Sequence, residues 1–224
     1  EDMKILANIA PAVKLVSTVR PLKGIMKSIE QASEEGNVEL EQKLILQATS
    51  QWGDTVMDKL GGVVHVEGEE NIPKKGPVVI VGNHQGYADI FAFFKVFNNF
   101  QIGFIAKKEL AKLPVFGKLI TEIRSILIER NNPREALKVV NEGVSLIKQG
   151  FSLVIFPEGT RSKGPKPGPF QAGSLKLATK AGVPILPVSL HGTYKMMEED
   201  GYFHGGDVYV MIHPPIETKG LSRQ

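Results

Sequence analysis

The chain has 224 residues, 42% of them hydrophobic, which is enough to bury one good core with a small appendage. It contains no cysteine, and this excludes disulfides, thiolate nucleophiles and cysteine-ligated metal sites. A net charge of +3 and an isoelectric point near 9.0 favour an anionic partner, such as a phosphate, a membrane or a nucleic acid, without choosing among them.

No run of residues approaches the roughly 18 apolar residues that would span a bilayer, and no signal-peptide pattern is visible. These features predict a cytoplasmic protein. Because Met3 is only the third residue, after Glu1 and Asp2, the sequence leaves open whether a hydrophobic segment precedes it.

Residues 1 to about 58 are predicted to form helices. The apolar residues between Ile5 and Val19 share one broad face at 100° per residue. A second helix is predicted within 20–36, with Gly36 as its C-cap, and a third begins at Asn37 as N-cap. The first two carry basic residues beside the apolar ones, so they either pack on their own domain or lie in a membrane interface.

Short apolar or β-branched runs alternate with helical patterns after residue 62, and they predict strands at 63–66, 78–81, 102–106, 126–128, 153–156, 185–190 and 208–212. The clearest helix runs from Pro133 to a stop at Gly150. The pattern predicts an α/β fold with a mostly parallel or mixed central sheet flanked by helices. We divide the chain into an N-terminal helical segment, 1–58, and an α/β domain, 59–224, in which 162–170 forms an exposed loop.

The segment VVIVGNHQGYADIFAFF, 78–94, places His84 directly after a predicted strand and Asp89 five residues later. If His84 occupies the strand-to-helix turn and Gly86 permits a tight bend, the carboxylate can fold back onto the imidazole and fix its tautomer. That is the arrangement of a general base. The alternative is that His84 is an ordinary loop histidine and Asp89 a helix N-cap.

Other predicted strands also end in polar groups. In FPEGTRS, 156–162, the residues Glu158, Gly159 and Thr160 can form a turn that presents backbone N–H groups, and Arg161 offers a planar fork suited to phosphate. The remaining groups at strand ends are Lys107, Lys108, Glu129 and Arg130. A parallel sheet gathers these ends at one edge, so we predict one site with a His–Asp base and a cluster of cations. Such a site suits deprotonation of a hydroxyl on a phosphorylated substrate.

Competing patterns are absent from the chain. There is no GxSxG elbow, no GxxxxGK[ST] loop and no HExxH pair. The remaining histidines lack ligand spacing, so we predict no metal site and assign a structural or surface role to His65, His191, His204 and His213.

The motifs NHQGYAD, FPEGTRS and VPILPVSL, in this order and spacing, resemble the glycerolipid acyltransferases, most closely bacterial 1-acylglycerol-3-phosphate acyltransferases. The segments GEENIP, AKKELAKLPVFG and ILIERNN support the resemblance, which covers roughly residues 62–213. It implies that His84, oriented by Asp89, deprotonates the free hydroxyl of a lysophosphatidate, which attacks an acyl thioester.

The resemblance also implies roles for the other residues of the site. Lys107, Arg130 and Arg161 would hold the substrate phosphate, while Glu158, Gly159 and Thr160 would shape its pocket. Pro184 and Pro187 would lie on the acyl-donor side or the pocket wall. Where the family's second motif commonly reads Gly-x-x-Phe-x-Asp-Arg, this chain has Arg124, Leu127 and Glu129 for the glycine, the aromatic and the aspartate.

No cofactor is implied, and acyl-CoA or an acylated acyl carrier protein serves as co-substrate. Because the acceptor resides in a bilayer, the N-terminal helices are expected to bind the cytoplasmic face of the cell membrane, peripherally or monotopically, and removal of 1–36 to abolish liposome binding. Glycerol 3-phosphate or another lysophospholipid remains an alternative acceptor, and a non-catalytic lipid-binding protein is an alternative of another class. We expect no nucleic-acid partner, because the basic residues are not interleaved with aromatic ones.

Overall fold

A computed structural model describes residues 13, 15–112, 116–129, 133–171 and 173–220. Its N-terminal part is a helical hairpin of α1 (Lys23–Glu34) and α2 (Val38–Leu60). Gly36 adopts a left-handed φ of 66° just after α1, and the Asn37 side chain accepts a hydrogen bond from the Leu40 N–H at the start of α2. The predicted N-cap Asn37 is therefore confirmed, whereas the C-cap of α1 is Glu35 and Gly36 is the left-handed residue that follows it.

The strands follow the predicted apolar runs to within two residues. They are β1 (Gly62–Glu67), β2 (Val79–Gly82), β3 (Ile102–Lys107), β4 (Ile126–Ile128), β5 (Ser152–Ile155), β6 (Ile185–His191) and β7 (Gly206–Ile212). They form a seven-stranded sheet in the order β1-β7-β6-β2-β5-β3-β4. From β6 to β4 all neighbours are parallel, whereas β7 pairs antiparallel with β6 and parallel with β1. The predicted mixed α/β sheet is confirmed.

The remaining helices are α3 (Asp89–Val96), α4 (Phe116–Glu122), α5 (Pro133–Lys148) and α6 (Lys176–Ala181). Helix α2 lies against α3 at Gly53, where a Cβ would approach the Cβ of Phe94 to 2.7 Å. The indole of Trp52 meets the Phe91 ring edge-on at 5.0 Å and donates a hydrogen bond to the Thr18 hydroxyl. Buried residues of the hairpin and of the sheet therefore belong to one hydrophobic cluster.

Two predictions fall wholly or partly outside the described residues: most of the first helix, within 1–12 and at 14, and the end of the second family motif at Arg130. Among the described helices, none has the length and apolar character needed to cross a membrane.

Candidate active site

The strand-to-helix turn between β2 and α3 brings His84 and Asp89 together. The imidazole Nδ1 lies 2.6 Å from Asp89 Oδ2, and the side chains are 14% and 0% exposed. A carboxylate accepts and does not donate, so Nδ1 carries the proton and Nε2 is left as an acceptor. This is the tautomer that a general base requires.

Asp89 begins α3 but does not act as its N-cap. Its Oδ2 also accepts hydrogen bonds from the N–H groups of Gln85, at 2.7 Å, and Gly86, at 3.1 Å. One oxygen thus closes the turn and orients the imidazole, which is the folded-back geometry that the spacing predicts.

The imidazole of His84 rests on an aromatic layer. It stacks on the ring of Phe156, with centroids 4.1 Å apart and planes 11° apart. Phe156 in turn contacts Phe93 edge-on at 5.6 Å and Phe104 at 6.1 Å. The ring orientation is therefore determined from one side by a carboxylate and from its face by packing.

The loop after β5 is joined through the backbone to the turn that holds His84. The N–H of Ser162 donates to the His84 carbonyl at 2.7 Å, and the N–H of Lys163 donates to the Gln85 carbonyl at 3.1 Å. Glu158 Oε1 accepts from the His84 N–H at 2.7 Å, and its Oε2 accepts from the Gly168 N–H at 2.6 Å. Glu158 therefore links the backbone of the turn to the backbone of the loop.

Arg161 lies at the rim of this turn with its guanidinium 3.6 Å from the centroid of the Tyr87 ring. Its Nη1 donates to Glu198 Oε1 at 2.8 Å. Gly159 has a left-handed φ of 68°, which makes the turn that precedes Arg161, and Thr160 is exposed.

Lys107 ends β3 and Lys108 follows it, at the same carboxyl edge of the sheet and two strands from β2. Lys107 Nζ is 3.4 Å from Glu109, and Lys108 Nζ is 3.9 Å from Glu129, which follows β4. All four side chains are at least half exposed and are available to move toward a ligand. Arg130, the fourth predicted cation, lies outside the described residues.

Pro187 lies in β6, and Pro184 immediately precedes the strand. Pro187 pairs with Val81 in the strand that leads to His84, whereas the Pro184 carbonyl accepts from the Val79 N–H at the amino edge of the sheet. Pro187 is therefore the nearer of the two to the turn, and Pro184 lies at the far end of the strand from it.

Asn83 and Gln85, on either side of His84, anchor the turn to distant parts of the chain, and no local sequence pattern predicts these contacts. The Asn83 side chain exchanges two hydrogen bonds with the backbone of Leu190, at 2.7 and 2.9 Å. Gln85 Oε1 accepts from the Gly192 N–H at 2.9 Å. Partners more than 100 residues away cannot be found from spacing, so only the polar character of NHQ hints at them.

Arg124, which stands where the resembling family has glycine, has a left-handed φ of 63°. That conformation explains a glycine preference at this position. Its side chain packs on Phe151 and donates to both carboxylate oxygens of Glu41 and to the Ser33 hydroxyl. The substitution thus joins the loop before β4 to both helices of the hairpin.

Within the described ranges, no group of three or more acidic or histidine side chains is arranged to hold a metal ion. The groups available for chemistry among the described residues are therefore an oriented imidazole, which can act as a base, and guanidinium and ammonium groups at the same edge of the sheet.

Comparison with known proteins agrees with this geometry. A family model described as Acyltransferase matches residues 63–191. A chloroplastic 1-acyl-sn-glycerol-3-phosphate acyltransferase of Brassica napus is 37% identical over 67% of this chain and 44% of its own length. The 1-acyl-sn-glycerol-3-phosphate acyltransferase of Borreliella burgdorferi is 36% identical over 73% of this chain and 66% of its own length.

The crystal structure of the 1-acyl-sn-glycerophosphate (LPA) acyltransferase PlsC from Thermotoga maritima superposes with a TM-score of 0.73 at 31% identity. The superposition covers 96% of this chain and 89% of the Thermotoga maritima chain. The chain spans less than half the length of the Brassica relative, at 44%. Since the family model matches more than half of the chain and the solved fold agrees over nearly all of it, the chain belongs to the acyltransferase family.

Proposed function

We propose that this protein transfers an acyl chain from an acyl thioester to the sn-2 hydroxyl of 1-acylglycerol 3-phosphate and so makes phosphatidic acid. The observation that carries the proposal is the His84–Asp89 pair, with Nδ1 bonded to a fully buried carboxylate at the carboxyl edge of the sheet. The relatives whose names state this activity support the choice of substrate.

In the proposed reaction, Nε2 of His84 takes the proton of the acceptor hydroxyl as its oxygen attacks the thioester carbonyl. Asp89 stabilises the imidazolium that forms. The tetrahedral intermediate then expels the thiolate, which receives that proton and leaves as a thiol. The acyl group passes directly to the acceptor, so no acyl-enzyme is required of a chain without cysteine.

The acceptor phosphate is proposed to bind Lys107, Arg130 and Arg161. Support comes from the position of Arg161 on the turn that follows β5 and from the exposed Lys107 at the end of β3. Glu158, Gly159 and Thr160 are proposed to shape this pocket, and Pro184 and Pro187 to border the acyl-donor side. The donor is acyl-CoA or an acylated acyl carrier protein, and no cofactor takes part.

The N-terminal segment 1–58 is proposed to hold the domain 59–224 at the cytoplasmic face of the membrane. The supporting features lie at its start, where the apolar side chains of Val13 and Val16 are 63% and 55% exposed. Exposed Lys23 and Lys27 follow on α1. Apolar groups beside cations suit an interface with anionic lipid.

The test is transfer of a labelled acyl group to 1-acylglycerol 3-phosphate in mixed micelles, with both thioester donors, comparing wild type with His84→Ala. We expect the variant to lose about 10²- to 10⁴-fold in rate, the contribution of a positioned base. His65→Ala, on the outermost strand β1, is the matched control and should retain the wild-type rate.

If glycerol 3-phosphate or another lysophospholipid gives product and 1-acylglycerol 3-phosphate does not, that compound is the acceptor. If the wild type transfers no acyl group from either donor, the result favours a non-catalytic lipid-binding protein. If His84→Ala keeps full activity, the imidazole of His84 is not the base of the reaction.

A further inference from the structure

Glu198 is a buried carboxylate at the candidate active site that the sequence motifs do not include. It follows β6 and the helical turn Thr193–Met196, beyond the residues that the family model matches. Its side chain is only 4% exposed, and its backbone N–H is bound to the Tyr194 carbonyl at 2.9 Å. Burying a carboxylate is costly unless partners compensate it, so its partners show what it organises.

Those partners are Arg161 and Tyr87. Glu198 Oε1 accepts from Arg161 Nη1 at 2.8 Å and from the Tyr87 N–H at 2.9 Å. The guanidinium also lies over the Tyr87 ring, with Cζ 3.6 Å from the ring centroid. Arg161 is thus held at one edge by a charge-assisted hydrogen bond and on one face by an aromatic ring.

This arrangement is compatible with binding a phosphate. A guanidinium has five N–H donors, and the bond to Glu198 uses a donor on Nη1 alone. The Arg161 side chain is 23% exposed, so it remains accessible from solvent. A held guanidinium loses less conformational entropy on binding an anion than a mobile one does.

The catalytic turn is shaped to admit Glu198. A Cβ at Gly86 would lie 2.4 Å from Glu198 Oε2, so a side chain at position 86 would require this carboxylate to shift. Oε2 itself is buried and has no hydrogen-bond partner among the described residues. Gly86 also donates its N–H to Asp89. One carboxylate therefore contacts the turn that holds the His–Asp pair as well as the cation at its rim.

We infer that Glu198 is a positioning residue for recognition of the acceptor phosphate. It holds Arg161 against Tyr87 and so fixes the guanidinium relative to the turn that contains His84 and Asp89. This inference rests on the proposed function, because it assigns Arg161 to the phosphate of the acceptor.

Steady-state kinetics of Glu198→Ala with 1-acylglycerol 3-phosphate test it. We expect the KM for the acceptor to rise at least about tenfold, the loss expected when a charge-assisted hydrogen bond is removed. The kcat at saturating acceptor and the KM for the thioester donor should stay within about threefold of wild type. Glu199→Ala, which removes an exposed carboxylate from the next position, is the matched control and should leave all three constants unchanged.

A double-mutant cycle separates positioning from structural damage. If Glu198 acts through Arg161, Arg161→Lys combined with Glu198→Ala should be no worse than Arg161→Lys alone. Glu198→Gln keeps an oxygen acceptor for both donors but removes the charge, so its acceptor KM should fall between wild type and Glu198→Ala. Should Glu198→Ala not fold, Glu198→Gln decides, and an acceptor KM unchanged from wild type would overturn the inference.

Three further results would also overturn it: a lowered acceptor KM, a fall in kcat with unchanged KM, or additive effects in the cycle. A wild-type enzyme that transfers no acyl group to the acceptor would instead refute the proposed function. The two failures are therefore distinguishable.

Discussion

Asp89 Oδ2 accepts hydrogen bonds from the imidazole Nδ1–H of His84 and from the N–H groups of Gln85 and Gly86. The closure of the turn and the orientation of the base thus depend on the same atom. An amide oxygen can accept the same bonds, but it carries no charge to stabilise the imidazolium formed when His84 takes up a proton.

Asp89→Asn should therefore separate catalysis from folding. We expect kcat for acyl transfer to fall at least about 10²-fold, while the thermal unfolding midpoint shifts by only a few degrees because the turn keeps an acceptor. Rate measurements and calorimetry on the same preparation check this. A large drop in the unfolding temperature together with the loss of rate would mean that the charge also maintains the turn.

At this scale the spacing in NHQGYAD predicts the His–Asp contact only if His84 occupies the strand-to-helix turn, because an ordinary loop histidine followed by an N-cap aspartate fits the same five-residue spacing. Glu198 was not predictable in the same way. It is 111 residues from Tyr87 and 37 from Arg161, and nothing local distinguishes it from the two acidic residues that follow it, Glu199 and Asp200.

The helical hairpin and the loop before β4 are joined by the buried Glu41, whose side chain is 2% exposed, and by Arg124. Removing one partner of such a pair leaves an uncompensated charge, which is strongly destabilising. Arg124 also has a positive φ, which a residue with a Cβ adopts at a cost and glycine adopts readily.

Arg124→Ala and Arg124→Gly form a matched pair that separates these two terms. We expect the alanine variant to lose about 3 kcal/mol of unfolding free energy, and the glycine variant to lose about 1 kcal/mol less because the left-handed backbone is relieved. Urea denaturation measures both. Equal losses would indicate that the loop relaxes out of the left-handed region once the side chain is gone.

For the elements, apolar periodicity and cap residues predicted helices and strands closely, since both signals are local. The sequence also marked Arg124 as a departure from the family pattern. Its partner could not be predicted, because Glu41 is 83 residues away and looks like an ordinary first-turn acid of α2.

Over the whole molecule, the proposed orientation on a membrane depends on where cations are exposed. Deleting 1–36 would also remove Leu22, Met26 and Ile29 from the core, so loss of liposome binding could follow from unfolding alone. Charge reversal on the surface of α1 avoids this difficulty.

Lys23→Glu with Lys27→Glu should weaken binding to anionic liposomes at least about tenfold, since each lysine near an anionic surface contributes about 1 kcal/mol. The reversal of two exposed lysines between β1 and β2, Lys74→Glu with Lys75→Glu, provides the matched control and should bind as wild type. Cosedimentation at low and physiological salt measures both. Equal weakening by the two pairs would indicate a general charge effect without a preferred face.

The strand order was the least predictable feature of the fold. The alternation of strands and helices indicated an α/β sheet, but β1 has the pattern of an ordinary short strand, and its pairing with β7 joins residues 144 positions apart. Pairing over that distance is determined by the assembled core and not by local pattern.

The pairing of β1 with β7 also affects the order in which the chain can fold during synthesis. The hairpin and β1 leave the ribosome before β7, which at about 5–20 residues per second follows β1 roughly 7 to 30 s later. Until residues 89–96 have been made, the hairpin lacks the helix α3 against which α2 packs, and until residues 206–212 have been made, β1 lacks its partner strand. Nascent chains of this protein are therefore expected to depend on a chaperone or an early lipid contact, a requirement absent from the finished molecule.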